Sequence, residues 1–183
     1  NLMNFIKTLR YHDRKICVEF DNRDLTGSER SWQWIKKGVP VRVEIGPRDV
    51  ANNSVFVGRR DKDPKEKKGI EVQEFISGLT SMLDEIQQNI YDKALKFREE
   101  NTIKIDDNDE FYRYFTAKNL DKPEIHAGFA LSHWCGNPEC EAKIKDDLKV
   151  TIRCIPFDSE PEEGKCICCG EKSSGRVIFA KSY

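Results

Sequence analysis

The stretch Gly38-Val39-Pro40-Val41-Arg42-Val43-Glu44-Ile45-Gly46-Pro47 decides the fold of the first half of this chain. Apolar and polar side chains alternate over residues 39–45, which is the period of a β-strand with one buried face. The dipeptide Gly46-Pro47 ends that strand. A short helix is predicted just before it, over residues 31–37, and Gly38 stops that helix.

Helices and strands alternate on both sides of this strand. The predicted elements are helices at 2–11, 31–37 and 70–98, and strands at 15–20, 39–45 and 54–58. Such alternation favours an α/β fold, in which helices cover the faces of a mixed, partly parallel sheet. We expect the first strand of this fold upstream of Asn1 and a charged loop over residues 62–68.

The pattern changes after residue 100. The predicted elements are helices at 107–119 and 139–147, strands at 125–134, 149–155 and 176–181, and a loop at 158–165. These short elements predict a small α+β domain. The sequence therefore divides into a first domain at residues 1–100 and a second at residues 101–183.

The charge of the chain is unevenly distributed. The 183 residues carry a formal net charge of −1, but residues 1–60 contain 12 Lys and Arg against seven Asp and Glu. An excess of basic residues in one part indicates an anionic partner for that part. The near-zero total therefore does not exclude nucleic acid.

No apolar run approaches the roughly 20 residues that a membrane helix needs, and the first residues do not form a signal peptide. We therefore expect a cytoplasmic protein that does not enter a membrane.

Six of the seven cysteines fall within 35 residues, from Cys135 to Cys169. Cys135 and Cys140 lie five positions apart, and Cys166 and Cys169 form a Cys-x-x-Cys-Gly turn. Two such pairs that converge from separate segments predict a tetrahedral Cys₄ zinc site. Four thiolate ligands leave no open position, so the predicted zinc is structural.

Two alternatives stay open at this point. Cys168 is able to replace one of the last two ligands, and His133 is a further ligand candidate. Unbound thiols in a reducing compartment would explain the same cysteines.

Two groups of motifs resemble one known family. The run from Trp34 to Asp49, with Gly58-Arg59-Arg60-Asp61 after it, is similar to the anticodon-binding domain of the prolyl-tRNA synthetase family. Four further motifs resemble the C-terminal zinc-binding domain of the archaeal and eukaryal-like type of this family. They are His133-Trp134-Cys135-Gly136-Asn137-Pro138-Glu139-Cys140-Glu141, Arg153-Cys154-Ile155-Pro156-Phe157, Cys166-x-x-Cys169-Gly170, and the ending Phe179-Ala180-Lys181-Ser182-Tyr183.

The resemblance implies that the parent enzyme attaches proline to proline tRNA through prolyl-adenylate. ATP and Mg²⁺ would bind a class II catalytic core upstream, so this fragment alone would not catalyse the reaction. The implied partners are proline tRNA and that catalytic domain. The family dimerises mainly through the catalytic domain, so the parent is expected to be a homodimer and the fragment a monomer.

By the same resemblance, Arg42 and Arg48 would read the two guanines of the proline anticodon. Arg59 and Arg60 are weaker candidates for phosphate contacts. The family often has a glutamate where this chain has Ile35, so either another acceptor such as Glu44 replaces it or guanine is read differently. The carboxylate of Tyr183 would project toward the catalytic site of the parent enzyme.

Two other functions compete with this one. A stand-alone anticodon-domain paralogue would bind RNA as a non-catalytic accessory protein. A zinc-ribbon module would bind another protein through its N-terminal half.

Overall fold

A computed structural model describes residues 2–117 and 128–182 of the chain. The chain separates into two compact units, residues 1–94 and residues 95–183.

The first unit combines helices with an antiparallel sheet. Its helices are α1 (Leu2–Ile6), α2 (Gly27–Lys36), α3 (Pro47–Ala51) and α4 (Val72–Glu100), the last of which continues into the second unit. Its strands are β1 (Arg10–Tyr11), β2 (Arg14–Lys15), β3 (Val41–Glu44), β4 (Ser54–Arg59) and β5 (Lys67–Glu71). Strands β3, β4 and β5 form the main sheet in that order, and β1 pairs with β2 in a small hairpin.

The predicted α/β composition is confirmed, but the predicted partly parallel sheet is not found among the described strands of this unit. All their pairings are antiparallel. The connections explain this result. Residues 45–53 join β3 to β4 and residues 60–66 join β4 to β5, and both are shorter than the dozen or more residues that a parallel crossover needs.

Three local predictions for this unit are also corrected. The strand expected over 15–20 is reduced to the pair Arg14–Lys15, and residues 16–23 form no regular element. The loop expected over 62–68 contains the start of β5. The first helix ends at Ile6, well before residue 11.

The alternation along β4 separates the two faces of the sheet. Val55 and Val57 are buried and pack with Phe75 and Leu79 of α4 in the core of this unit. The residues between them belong to the opposite face. Strand pairing and the period of two place eight residues on that face. We use the name polar sheet face for the six nearest Arg42: Arg42, Glu44, Phe56, Gly58, Lys67 and Gly69.

Helix α4 is the long amphipathic helix that the sequence predicts at 70–98. Its buried residues Phe75, Leu79 and Ile86 recur at helical spacing. In the described part of the chain, no helix combines the length and the apolar character that crossing a membrane requires.

The second unit is a small α+β arrangement, as predicted. Its helices are α5 (Asn108–Phe115) and α6 (Pro138–Leu148). Its strands are β6 (Thr102–Lys104), β7 (Phe129–His133), β8 (Val150–Cys154), β9 (Gly164–Lys165), β10 (Lys172–Ser173) and β11 (Arg176–Lys181). The sheet runs in the order β6-β7-β11-β8, with β6 and β7 parallel and the other pairs antiparallel. Two predicted elements lie partly outside the described residues. They are the strand predicted at 125–134, at its N-terminal end, and the helix predicted at 107–119, at its C-terminal end.

The core of the second unit is an aromatic cluster between α5 and β11. Phe111, Phe115 and Phe179 are almost completely buried. The ring of Phe111 lies 5.0 Å from that of Phe115 and 5.1 Å from that of Phe179, both edge to face. Such pairs add stability beyond the burial of their area.

We expect Phe179→Ala to destabilise the second unit by about 3–5 kcal/mol, because it leaves a cavity at the centre of this cluster. Urea unfolding measures the loss. The matched control is Phe157→Ala, since Phe157 is fully exposed and its removal should leave the unfolding midpoint unchanged. Equal midpoints for the two variants would contradict the assigned core.

Candidate metal centre and nucleic-acid interface

Four cysteines meet at one point in the second unit. The Sγ atoms of Cys135, Cys140, Cys166 and Cys169 all lie within 4.8 Å of one another. Cys135 Sγ is 3.7 Å from Cys140 Sγ and 3.8 Å from Cys169 Sγ. These are the four thiols that the sequence favours as ligands.

Two turns bring these thiols together. Cys135 follows β7, and Gly136, with φ of +84°, turns the chain into α6. The side chain of Asn137 caps this helix by accepting from the Glu139 N–H, which places Cys140 in the first helical turn. On the other side, Gly170 has φ of +75° and its N–H donates to the Cys166 carbonyl at 2.9 Å, closing the turn that the Cys-x-x-Cys-Gly motif predicts.

The geometry fits a tetrahedral metal. Zinc–sulfur bonds of about 2.3 Å in a tetrahedron separate the sulfurs by roughly 3.8 Å, as for Cys135 and its two measured neighbours. Burial raises the pKa of the Cys140 thiol, and the neighbouring thiols raise it further. Burial also acts to raise the pKa of Cys166, but backbone N–H groups of Cys169 and Cys168 lower it to about 7. A bound cation would favour the thiolate form of all four.

The other candidate ligands lie outside this group. Cys168 is not one of the four, and its side chain packs against the hydrophobic core of the second unit. His133 is buried, with Nδ1 3.2 Å from the Ser173 hydroxyl and Nε2 3.9 Å from a Glu162 carboxylate oxygen. Cys154 and Cys17 are exposed.

The second candidate site is the polar sheet face of the first unit, and Arg42 is its most unusual residue. Its relative exposure is only 9%. Its Nε and Nη2 atoms are buried and find no hydrogen-bond partner among the described residues. Burial lowers the pKa of this guanidinium, while the nearby Glu44 raises it. The sequence could not show that this arginine is buried and unpaired.

Gly58 provides the space for the Arg42 side chain. The two residues are direct partners across β3 and β4. A Cβ atom at Gly58 would stand 2.9 Å from Arg42 Nη2, so the guanidinium lies directly over the bare backbone of β4.

Glu44, Lys67 and Phe56 complete this face. Lys67 Nζ donates to Glu44 Oε1 at 2.6 Å and lies 5.9 Å from the centre of the Phe56 ring. Phe56 is 39% exposed. Its partner on β5 is Gly69, where a Cβ would have no atom within 4 Å. The face therefore offers a cation, a carboxylate and an aromatic ring beside open space.

The sequence missed Phe56 and Lys67. The alternation of Val55, Phe56 and Val57 was the signal that could have placed Phe56 on the open face. Lys67 fell in a segment predicted to be a loop.

Arg48 and Arg60 are both exposed. Arg48 lies in α3, and its side chain has no hydrogen bond or ion pair within the described ranges. The Arg60 side chain donates from Nη1 to the Gly38 carbonyl at 3.3 Å, where Gly38 has φ of +74°.

Arg59 has a different environment from its neighbour. Its Nε and Nη2 donate to the two carboxylate oxygens of Asp61 at 2.9 and 2.8 Å, and Nη1 donates to Glu85 at 2.8 Å. Asp61 also accepts from the Asn89 amide at 2.7 Å. The hydrogen bonds from Arg59 lower the pKa of Asp61 to about 2. Arg59 therefore holds β4 to α4 and is already neutralised.

Two further predictions from the sequence concern Ile35 and Tyr183. Ile35 lies in α2 and is half-buried, so this position supplies no acceptor. Tyr183 lies outside the described residues.

Comparison with known proteins finds similarities in both halves of the chain. Residues 122–183 match the family model "Prolyl-tRNA synthetase, C-terminal", and residues 7–82 match "Anticodon binding domain". The chain is similar to proline–tRNA ligase 2 of Anaeromyxobacter dehalogenans (46% identity over 94% of this chain) and to proline–tRNA ligase of Protochlamydia amoebophila (41% over 100%). It spans 34% and 36% of their lengths, about a third of each.

A crystal structure of prolyl-tRNA synthetase from Cryptosporidium parvum, in complex with L-proline and AMP, is also similar. It matches with a TM-score of 0.68 and 29% identity, covering 90% of this chain and 33% of that one.

The Arg59–Asp61 pair yields a testable pH dependence. Because the pKa of Asp61 is lowered in the folded state, its stabilisation is complete above about pH 4 and is lost as the pH falls through about 2. We expect Asp61→Asn to lower the free energy of unfolding at pH 7 by about 2 kcal/mol and by less at pH 3, as measured by urea unfolding.

Asp24→Asn is the matched control, because the Asp24 side chain has no partner among the described residues of the same unit. An Asp61→Asn deficit that is as large at pH 3 as at pH 7 would contradict the assigned ion pair.

Proposed function

We propose that this chain, which belongs to the prolyl-tRNA synthetase family and corresponds to its C-terminal part, binds the anticodon of proline tRNA through its first unit. The second unit would carry a structural zinc ion. The chain spans only about a third of its curated relatives, so the activity of the whole protein is part of the proposal: ligation of proline to its tRNA through prolyl-adenylate.

The observation that carries this proposal is the unpaired guanidinium of Arg42. A buried charge without a partner is costly to the fold. An arginine fork also matches the O6 and N7 atoms of guanine or the oxygens of a phosphate. The unpaired bases of an anticodon loop expose these edges, so a guanine there would supply the partner that Arg42 lacks in the described structure.

The other arginines differ in whether their side chains are available to bind RNA. Arg48 and Arg60 are exposed, and we propose Arg48 for the anticodon and Arg60 for a phosphate. Arg59 already binds Asp61 and Glu85, so a phosphate would have to compete with two carboxylates. We therefore propose a structural role for Arg59.

Catalysis would reside in the part of the protein that this chain does not include. We propose that the class II core of the parent binds ATP and Mg²⁺ there, and that this chain contributes tRNA selection. The parent is proposed to be a homodimer in the cytoplasm, and the isolated chain a monomer.

The metal is proposed to be zinc, held by Cys135, Cys140, Cys166 and Cys169. Four thiolates complete a tetrahedral shell and leave no position for water or substrate. The ion would therefore join the end of β7 and helix α6 to the turn after β9 and would take no part in chemistry.

We expect Arg42→Ala to weaken binding of the proline anticodon stem-loop by about tenfold or more, because it removes a bidentate contact. It should also reduce the preference for guanine over adenine in the anticodon. Fluorescence anisotropy with the labelled RNA measures both effects.

The control is Arg98→Ala, which removes an equally charged, exposed side chain at the end of α4. Affinity should change little. Unchanged affinity in Arg42→Ala, with circular dichroism like that of wild type, would refute the role of Arg42.

We expect Cys135→Ser to lose most of its bound zinc, about one ion per chain in the wild type, and to unfold the second unit at lower urea. Elemental analysis of the purified protein measures the metal. Cys154→Ser and Cys168→Ser are matched controls, since both thiols lie outside the group of four. Full zinc content in Cys135→Ser would rule out this ligand set.

A further inference from the structure

The turn that contains Cys166 and Cys169 is held in place through the residue between them, Ile167. The Ile167 N–H donates to the His133 carbonyl at 2.9 Å, which ties the turn to the end of β7. The Ile167 carbonyl accepts from the side-chain amide of Asn108 at 2.6 Å, a residue 59 positions earlier in the chain. The Ile167 side chain is buried in the hydrophobic core of the second unit. The protein itself therefore fixes the middle of this turn, from three sides.

The contact from Asn108 acts on a peptide that faces a predicted metal ligand. The Ile167 carbonyl and the Cys168 N–H belong to one planar peptide unit, so a bond that orients the carbonyl also orients the N–H. On the other side of that peptide, the Cys168 N–H and the Cys169 N–H donate to the Cys166 sulfur. Asn108 thus lies behind the peptide whose N–H supports the Cys166 thiolate.

The position of Asn108 at the start of α5 makes its amide a well-placed donor. Asp107 caps this helix by accepting from the Glu110 N–H at 2.8 Å, and Ile105, just before the cap, is almost completely buried. The backbone on which Asn108 stands is therefore fixed, and its side chain points to the cysteine turn instead of bonding within its own helix.

Hydrogen bonds around a metal centre orient the ligands and adjust how strongly they bind the ion. Removal of such outer contacts typically weakens metal binding by about 10–100-fold. A turn that already has the bound conformation also loses less conformational freedom when the metal arrives. Both effects apply to the Cys166 turn if the Ile167–Cys168 peptide is held by Asn108.

From these contacts we propose that Asn108 is a positioning residue for the metal centre: it orients the Ile167–Cys168 peptide so that the Cys168 N–H supports the Cys166 thiolate. It would thereby link the start of α5 to the ion without binding the ion itself. This inference rests on the proposed zinc site and adds a residue outside the four ligands.

Asn108→Asp tests the proposal on the full 183-residue chain. The variant keeps the size of the side chain, and a negative charge at the start of a helix favours that helix. An ionised carboxylate is unable to donate to the Ile167 carbonyl. We expect zinc to bind about tenfold more weakly, as measured by competition with a chromophoric chelator. The added negative charge alone would attract a cation, so it does not explain a weaker affinity. Asn108→Ala, which adds no charge, should weaken binding to a similar degree.

Cobalt(II) in place of zinc gives a second readout, which loss of general stability would not move. The thiolate-to-cobalt charge-transfer absorption should shift in Asn108→Asp, because the Cys166 sulfur loses the alignment of one donor. The zinc-dependent rise in the urea unfolding midpoint should also be smaller than in wild type, since weaker binding stabilises the folded state less.

Thr116→Val is the matched control at the other end of α5. The Thr116 hydroxyl donates to the Tyr112 carbonyl at 2.7 Å, so this variant removes a hydrogen bond between a side chain and a carbonyl from the same helix, away from the cysteine turn. Its zinc affinity and cobalt spectrum should match those of wild type.

The outcomes separate the role of Asn108 from the metal site on which it rests. If wild type binds no zinc, the proposed metal centre fails and this inference fails with it. If wild type binds zinc, but Asn108→Asp and Asn108→Ala keep its affinity and its cobalt spectrum, the role of Asn108 is overturned and the metal centre stands. Equal losses of stability in the zinc-loaded and the metal-free protein, with unchanged zinc affinity, would likewise overturn it.

Discussion

The pairing of β3 with β4 determines which side chains lie together on the polar sheet face of the first unit. In this register Arg42 lies opposite Gly58, and Glu44 lies opposite Phe56. The period of two along β4 sends Val55 and Val57 to the core against α4, so the residues between them must face away. The hydrophobic face thus determines the position of every polar group on the other face, and a slip of one residue would exchange the two.

The second unit depends on a different kind of constraint. Its apolar core is small and centred on Phe111, Phe115 and Phe179. The turn segments beyond this core are held by polar contacts, such as the bidentate pair between Arg176 and Glu162 at 2.9 Å, and by the four thiols. A metal ion at that point would supply the stabilisation that a core of this size does not.

Much of the fold was predictable because the relevant signals are local. The long helix α4, the strand β11 and the convergence of two cysteine pairs follow from apolar periodicity and from spacing. Strand β5 was missed because Lys67 and Lys68 read as a charged loop, and only pairing with β4 makes them extended. The antiparallel sheet was missed because the alternation of helices and strands suggested parallel crossovers, whereas the short connections on both sides of β4 give antiparallel neighbours.

The candidate site was likewise predictable only in its local features. The type and number of the basic residues were visible in the sequence, but their environments were not. Arg59 and Arg60 are neighbours, yet Arg59 bonds to two carboxylates and Arg60 lies exposed over Gly38. Arg42 was expected to contact guanine, but the sequence did not indicate that its side chain is buried. Such differences arise from residues distant in sequence, which no local pattern records.

Position 58 has a consequence for how this protein tolerates variation. A methyl group there would come too close only to the far end of the Arg42 side chain, at 2.9 Å from Nη2, while Lys67 Cγ at 3.6 Å lies in ordinary contact. The end of the arginine side chain is free to swing aside at little cost to folding. A population of variants at this position would therefore express and fold normally while the guanidinium points elsewhere. Screens that report only abundance or thermal stability would pass these variants as neutral, although the surface beneath the guanidinium had been altered.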